Sequence, residues 1–169
     1  MSISLSQIEK ESNFFLDLNN DLDRITKLLN LNQDVKKLLY YIDADALSKD
    51  DVTISLLGLT INKVPLVPLA SRTGIDASYI YTTLLMSDVD LLNGVAMTNV
   101  AIDILTPTDQ WIVNEGIRPL LLSYYINKIM ENQFVQTGGI KYRLTQIINI
   151  KMSDNLLGYR LIYATGLDD

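Results

Sequence analysis

Apolar and polar positions change period several times along the chain, and each change marks an element. From Ser6 onward Leu18, Leu22, Ile25, Leu28 and Leu29 recur on one side. Asp17, Asp21, Asp23 and Lys27 lie opposite or at its margins, which predicts an amphipathic helix running to about Leu29. Ser4 or Ser6 caps it, with Glu9 three residues after Ser6 as in a capping box. Asn30 to Gln33 break the pattern. A second, shorter helix is expected from about Asp34, with Val35, Leu38, Leu39 and Ile42 inward, and it ends around Asp43 to Asp45.

Residues 46–78 hold no period. Val52 to Leu57 suits a strand or the start of a helix, while Pro65 and Pro68 deny a central strand, so this stretch reads as an extended arm or sheet edge. Tyr79 to Met86 is aromatic and β-branched and predicts a strand, followed by a loop from Asp88 to Asn93-Gly94. Asn99 to Leu105 predicts a second strand, stopping at the turn-forming Thr106-Pro107-Thr108-Asp109.

The helical period then returns. Ile117, Leu121, Tyr125 and Ile129 recur at four-residue spacing, widened by Leu122 and Ile126, and Pro119 fits the first turn of a helix from Gly116 or Ile117 to about Gln133. Gly138-Gly139 reads as the helix stop and a turn. Beyond it the period falls to two. Ile140, Tyr142, Leu144, Ile148, Ile150 and Met152 share one face, with Lys141, Arg143, Thr145, Asn149 and Lys151 mainly on the other. Gln146-Ile147 breaks the alternation as a bulge does. Ser153 to Gly158 supplies a turn, and Tyr159 to Ala164 returns as the partner strand.

These elements describe one α+β domain: N-terminal helices in 1–45, an extended arm in 46–78, and a sheet plus helix in 79–169. The sheet is expected to be mainly antiparallel with helices packed on one face, closing in a C-terminal strand-helix-hairpin unit. At 169 residues and 48% hydrophobic the chain is long enough to bury a core.

Composition narrows the chemistry. With no Cys and no His, disulfides, thiolate metal sites and the commonest general base are excluded. The net charge of −6 disfavours sequence-independent binding to nucleic acid, and the Lys36-Lys37 pair reads as a solvated helix face. No apolar run approaches the ~20 residues of a membrane span, and the N-terminus lacks the order of a signal peptide, so synthesis in the cytosol is expected. An active site would have to be built from carboxylates, Ser, Thr, Tyr or Lys. Asp103, Asp109 and Glu115 are the candidates, but Asp103 sits mid-strand on the expected solvated face and Asp109 looks like a turn or cap residue. Asp43, Asp45, Asp50 and Asp51 lack the glycine and terminal glutamate of a calcium loop. No catalytic residue, cofactor or metal is therefore expected.

Two residues suit contacts instead. Trp111, the single tryptophan, follows a strand end, where its ring either caps the core or anchors a partner. Arg118 opens a helix against the macrodipole, so a carboxylate should hold it: Glu115 or Asp109 within the chain, or an acidic residue of a neighbouring subunit.

The run Val100 to Leu105, then Trp111, Arg118 and a helix, then Gly138-Gly139-Ile140 and a strand ending in Gly158-Tyr159-Arg160-Leu161, resembles tail-terminator and related neck proteins of tailed bacteriophages. The likeness covers about the last 70 residues, as an order of elements with a few landmarks. It implies a structural virion protein: a ring homo-oligomer, taken as a hexamer, that caps the tail tube protein, stops its polymerisation and meets the head-tail connector proteins. Another neck, connector-ring or head-completion role is the alternative within the same class, and a carboxylate-dependent metal enzyme the alternative outside it. No catalytic residue comes with the resemblance. An acidic lumen would let DNA pass without sticking. Pro65, Pro68, Asp88 and Asn93, with Trp111 and Arg118, are the expected interface residues.

Overall fold

The computed structural model describes residues 5–63, 78–90, 95–132 and 142–165. In chain order these form α1 (Leu5–Leu31), α2 (Gln33–Tyr40), a 3₁₀ turn (Ala46–Ser48), β1 (Ile61–Lys63), β2 (Tyr79–Asp90) and β3 (Val95–Pro107). A second 3₁₀ turn (Thr108–Gln110), β4 (Ile112–Val113), β5 (Gly116–Ile117), α3 (Arg118–Asn132), β6 (Tyr142–Ser153) and β7 (Leu156–Thr165) follow. Five strands make one sheet in the order β1-β2-β3-β7-β6, antiparallel except where β1 joins β2, and β4 pairs with β5 apart from it. The architecture is α+β, a mostly antiparallel sheet with a C-terminal hairpin, as expected. Pro65, Pro68, Asn93 and the Gly138-Gly139 turn lie outside the described residues.

The break after α1 is sharp because Asn32 caps the next helix: its Oδ1 accepts from the Val35 N–H at 3.0 Å, satisfying a donor the first turn leaves open. Ile25 and Leu29 of α1, Leu38 and Leu39 of α2 and Leu122 and Ile126 of α3 are all buried. They meet Ile80, Val100, Ile102, Ile104, Leu161 and Tyr163 on the inner face of the sheet. Asp21, placed at the margin of the α1 stripe, is itself buried.

Residues 46–60 correct the expectation of an extended arm. This stretch is strapped to the helices by side chains from α1 and α2. Asn30 Oδ1 accepts from Leu56 N–H at 2.7 Å, Gln33 Oε1 accepts from Val52 N–H at 3.0 Å, and Lys36 Nζ donates to the Val52 carbonyl. Val52 and Leu56 are consequently core residues. Lys36 is buried rather than part of a solvated face. α2 also ends before Ile42, which was expected inward and is 57% exposed.

The break at Gln146-Ile147 is a bulge with a larger effect than the sequence pattern implies. Register shifts between Leu144 and Gln146, so Tyr142 and Leu144 join the helix-side core while Ile150 and Met152 turn to the opposite face. There they pack with Tyr79, Tyr81, Leu105 and Leu156 in a small second cluster. The expected single apolar face of β6 is therefore two half-faces. The hairpin turn is also tighter than expected: only Asp154 and Asn155 separate the strands, and Gly158 lies within β7, opposite Leu105 on one side and Ile150 on the other.

Candidate assembly surface

Arg118 organises one corner of the molecule. Its side chain is fully buried, and its donors reach five main-chain carbonyls: Nε to Gln110 at 2.8 Å, Nη1 to Leu38 at 2.7 Å and Tyr41 at 2.6 Å, Nη2 to Ile42 at 3.0 Å and Asp43 at 2.8 Å. Four of these carbonyls belong to the C-terminal end of α2 and the chain leaving it, where orphan acceptors and the negative end of the helix dipole both favour a cation. The carboxylate expected from Glu115 or Asp109 is thus replaced by carbonyl oxygens, and Arg118 acts inside the chain rather than at its surface. Burial pulls the guanidinium below its usual pKa, and the nearby Asp43 carboxylate pushes it back up. Asp43 is itself held below the usual carboxylate range by a 2.6 Å hydrogen bond from Lys49.

Two further bonds lock the corner: Asn114 N–H donates to the Ala44 carbonyl at 2.8 Å, and Arg118 N–H to the Trp111 carbonyl at 2.7 Å. The β4–β5 hairpin is thereby fixed against the chain leaving α2 and the start of α3. Ile112 and Ile117 face each other across that hairpin, and Leu120 and Tyr124 continue from Ile117 at helical spacing. All four are exposed, Ile112 by 71% and Tyr124 by 59%. They form an apolar stripe on a rigid support. Ile117 was expected in the buried stripe of α3; instead it precedes the helix and points out, because the helix begins at Arg118. The sequence signal for the stripe was the Ile117, Leu120, Tyr124 spacing.

Trp111 sits beside this corner, half-buried. Its Nε1–H donates to the Thr106 carbonyl at 3.1 Å, and its ring lies 6.4 Å from that of Tyr159. That arrangement anchors the end of β3 to the turn before α3. Asp88 lies within β2, not in a loop as expected, because β2 and β3 continue as a long hairpin: Val89 pairs with Ala96 and Asp90 with Val95, after an irregularity beyond Met86.

The three candidate carboxylates do not converge. Asp103 is buried on the outer face of the sheet and takes both its hydrogen bonds from Arg160, whereas Asp109 and Glu115 are exposed on separate turns. No group of three or more His, Cys, Asp or Glu placed to hold a metal occurs among the described residues. A shallow recess of about 300 Å³ between α1 and the approach to β1, lined by Thr26, Leu57, Ile61 and Asn62, contains the Lys63–Asp23 ion pair. No helix among the described residues is long and apolar enough to cross a membrane.

The fold and this corner define a small α+β protein whose distinguishing surface is an exposed apolar stripe. The chain belongs to the YomW family, whose model matches residues 32–165, from the cap of α2 to the end of β7. The family name is phage-derived, from the Bacillus phage SPBc2 region, and marks a phage-associated protein. No curated protein and no solved structure matches the chain.

Proposed function

We propose that the chain is a ring-forming structural subunit at the neck of a tailed phage, a tail terminator that caps the tail tube and joins it to the head connector. It acts by assembly, without catalysis of its own. The observation that carries this reading is the apolar stripe Ile112, Ile117, Leu120 and Tyr124, held on a support that Arg118 makes rigid. Apolar side chains placed this way on a preorganised corner are suited to a protein partner, because docking them costs little ordering of the backbone. In this reading the stripe meets the tail tube protein or a connector, the subunit closes with its own copies as a hexamer, and DNA passes through an acidic lumen.

A second neck role, in a connector ring or in head completion, fits the same stripe. Phage lacking the chain distinguish them under the electron microscope. Loss of a tail terminator gives overlong or unjoined tails, and loss of a head-completion protein gives normal free tails beside heads that leak DNA. Normal infectious particles would defeat both roles.

A further inference from the structure

The stripe of Ile112, Ile117, Leu120 and Tyr124 is bordered by charge of one sign. Glu115 sits in the turn that joins β4 to β5, Asp109 in the 3₁₀ turn ahead of Trp111, and Asp34 in the first turn of α2, which packs beside α3. Asp109 and Glu115 are exposed and Asp34 is half-buried. Among the described residues none of the three has a cation as its ion-pair partner.

The cations of this corner are already engaged. Lys37 pairs with Asp51 at 3.0 Å, Lys49 with Asp43 and Asp45, and Arg118 is buried among carbonyls. Lys128, one turn beyond Tyr124, has an interaction of its own. The Tyr125 hydroxyl lies in the same negative field: burial first, then the Asp34 charge, then Tyr124 and Glu115 raise its pKa. Its ring is in edge contact with that of Tyr124, at 5.2 Å, so two of the carboxylates act at the end of the stripe.

That border decides among occupants. A second copy docked through the same face would set these carboxylates against their own kind, and an anionic lipid surface would repel them. A cationic protein segment is attracted, and it can bury the apolar side chains while its own charges answer the rim. From Ile117 to Tyr124 the stripe runs two helical turns, about 10 Å, which suits one short element of a partner.

We infer that the stripe docks a short amphipathic helix of a partner protein, apolar on the face it buries and carrying Lys or Arg opposite Glu115, Asp109 and Asp34. Anchors at three- and four-residue spacing on that helix would match the spacing of the stripe. This inference rests on the assembly reading above and gives the chemistry of its partner.

The test uses the full chain in phage-infected cells, with Tyr124 replaced by the photoreactive p-benzoyl-phenylalanine at a position that is exposed and already aromatic. Light should join the chain to a second protein. Mass spectrometry of the joined peptide should show apolar residues at three- and four-residue spacing with Lys or Arg beside them. The yield should fall as salt is added to the lysed cells before illumination. Glu115→Lys with Asp109→Lys should lower it about tenfold, and exchanging the partner's Lys or Arg for Glu should restore it. Should the Lys variants fail to fold by circular dichroism, Glu115→Gln with Asp109→Asn gives the same comparison at smaller amplitude.

A joined segment without Lys or Arg, a yield indifferent to charge reversal, or joining only to a second copy or to lipid overturns the inference. A chain present at the neck whose stripe joins to nothing defeats this docking alone. A basic, apolar segment from a protein that is absent from the neck leaves the docking standing and defeats the neck reading.

Discussion

Arg160 and Asp103 stand opposite each other on β7 and β3, and the guanidinium takes both carboxylate oxygens, Nε to Oδ1 at 2.7 Å and Nη2 to Oδ2 at 2.8 Å. The pair crosses the outer face of the sheet beside the cluster of Tyr81, Leu105 and Leu156. Its fork geometry is bidentate, the stronger form of a carboxylate contact. The hydrogen bond that Arg160 donates to Asp103, ahead of the opposing effect of burial, raises the Arg160 pKa further. Asp103→Asn keeps the shape but removes the charge assistance, and a loss of about 1–3 kcal/mol is expected in urea unfolding. Arg160→Lys should lose a similar amount despite keeping the charge, because an ammonium cannot make the paired contact.

Arg118 is expected to matter more. Arg118→Leu leaves five carbonyls without their donors and frees the β4–β5 hairpin from α2, so a loss of about 3–5 kcal/mol or failure to fold is expected. Leu120→Ser and Tyr124→Ser, on the exposed stripe nearby, should change urea stability by no more than about 0.5 kcal/mol. Under the proposed function they should instead reduce incorporation into particles. Stability losses of equal size at all three positions would show that the stripe is part of the core.

Gly158 is fixed by approach rather than by a turn. A Cβ there would lie 1.7 Å from the Ile104 carbonyl oxygen, in main chain that two neighbouring strands hold in place. Gly158→Ala should therefore cost more than about 3 kcal/mol or prevent folding, measured against a conservative change such as Ile162→Val. A native-like alanine variant would place β7 in a different register.

The periodic elements were legible because their patterns are local. α3, the Asn99–Leu105 part of β3 and the β6–β7 hairpin follow directly from spacing and turn residues. Arg118 was recognisable as anomalous from its helix position, but its acceptors lie 75 to 80 residues earlier for the four carbonyls at α2, a separation that no local pattern encodes. The stretch 46–60 was illegible for a related reason: it has no period because Asn30, Gln33 and Lys36 hold its backbone with side-chain groups. Gly158 resembled a turn residue because glycine serves turns and close approaches alike, and only the neighbouring strand distinguishes them.

Stability should also fall on the alkaline side. Tyr163 is buried in the core, its hydroxyl donating to Asn127 Oδ1 at 3.2 Å, and burial, reinforced by the Glu131 charge, raises its pKa well above the ordinary value. The raised folded-state pKa means its contribution is fully present below the unfolded pKa of about 10 and is lost as pH rises from there toward the folded value. Urea midpoints should decline above about pH 10, and Tyr163→Phe should decline less steeply while losing about 1 kcal/mol at neutral pH. Equal slopes would mean that other groups dominate the alkaline transition.

The bulge in β6 makes two branched aliphatic positions on either side of it, Leu144 and Ile148, behave differently. Before it, Leu144 is paired with Tyr163 and packs on the helix-side core; after it, Ile148 is paired with Arg160 on the outer face and is 37% exposed. An uninterrupted alternation would put both on one buried face and make both intolerant of charge. With the bulge, Leu144→Asp should destabilise by about 3 kcal/mol or more, since an unpaired carboxylate enters the core, while Ile148→Asp should remain folded and lose about 1 kcal/mol or less. The acid at Ile148 would also face Arg160, which offsets part of that loss. Urea unfolding of the two single variants decides it. Unfolding of both would restore the continuous alternation and remove the bulge, whereas tolerance of both would take Leu144 out of the core.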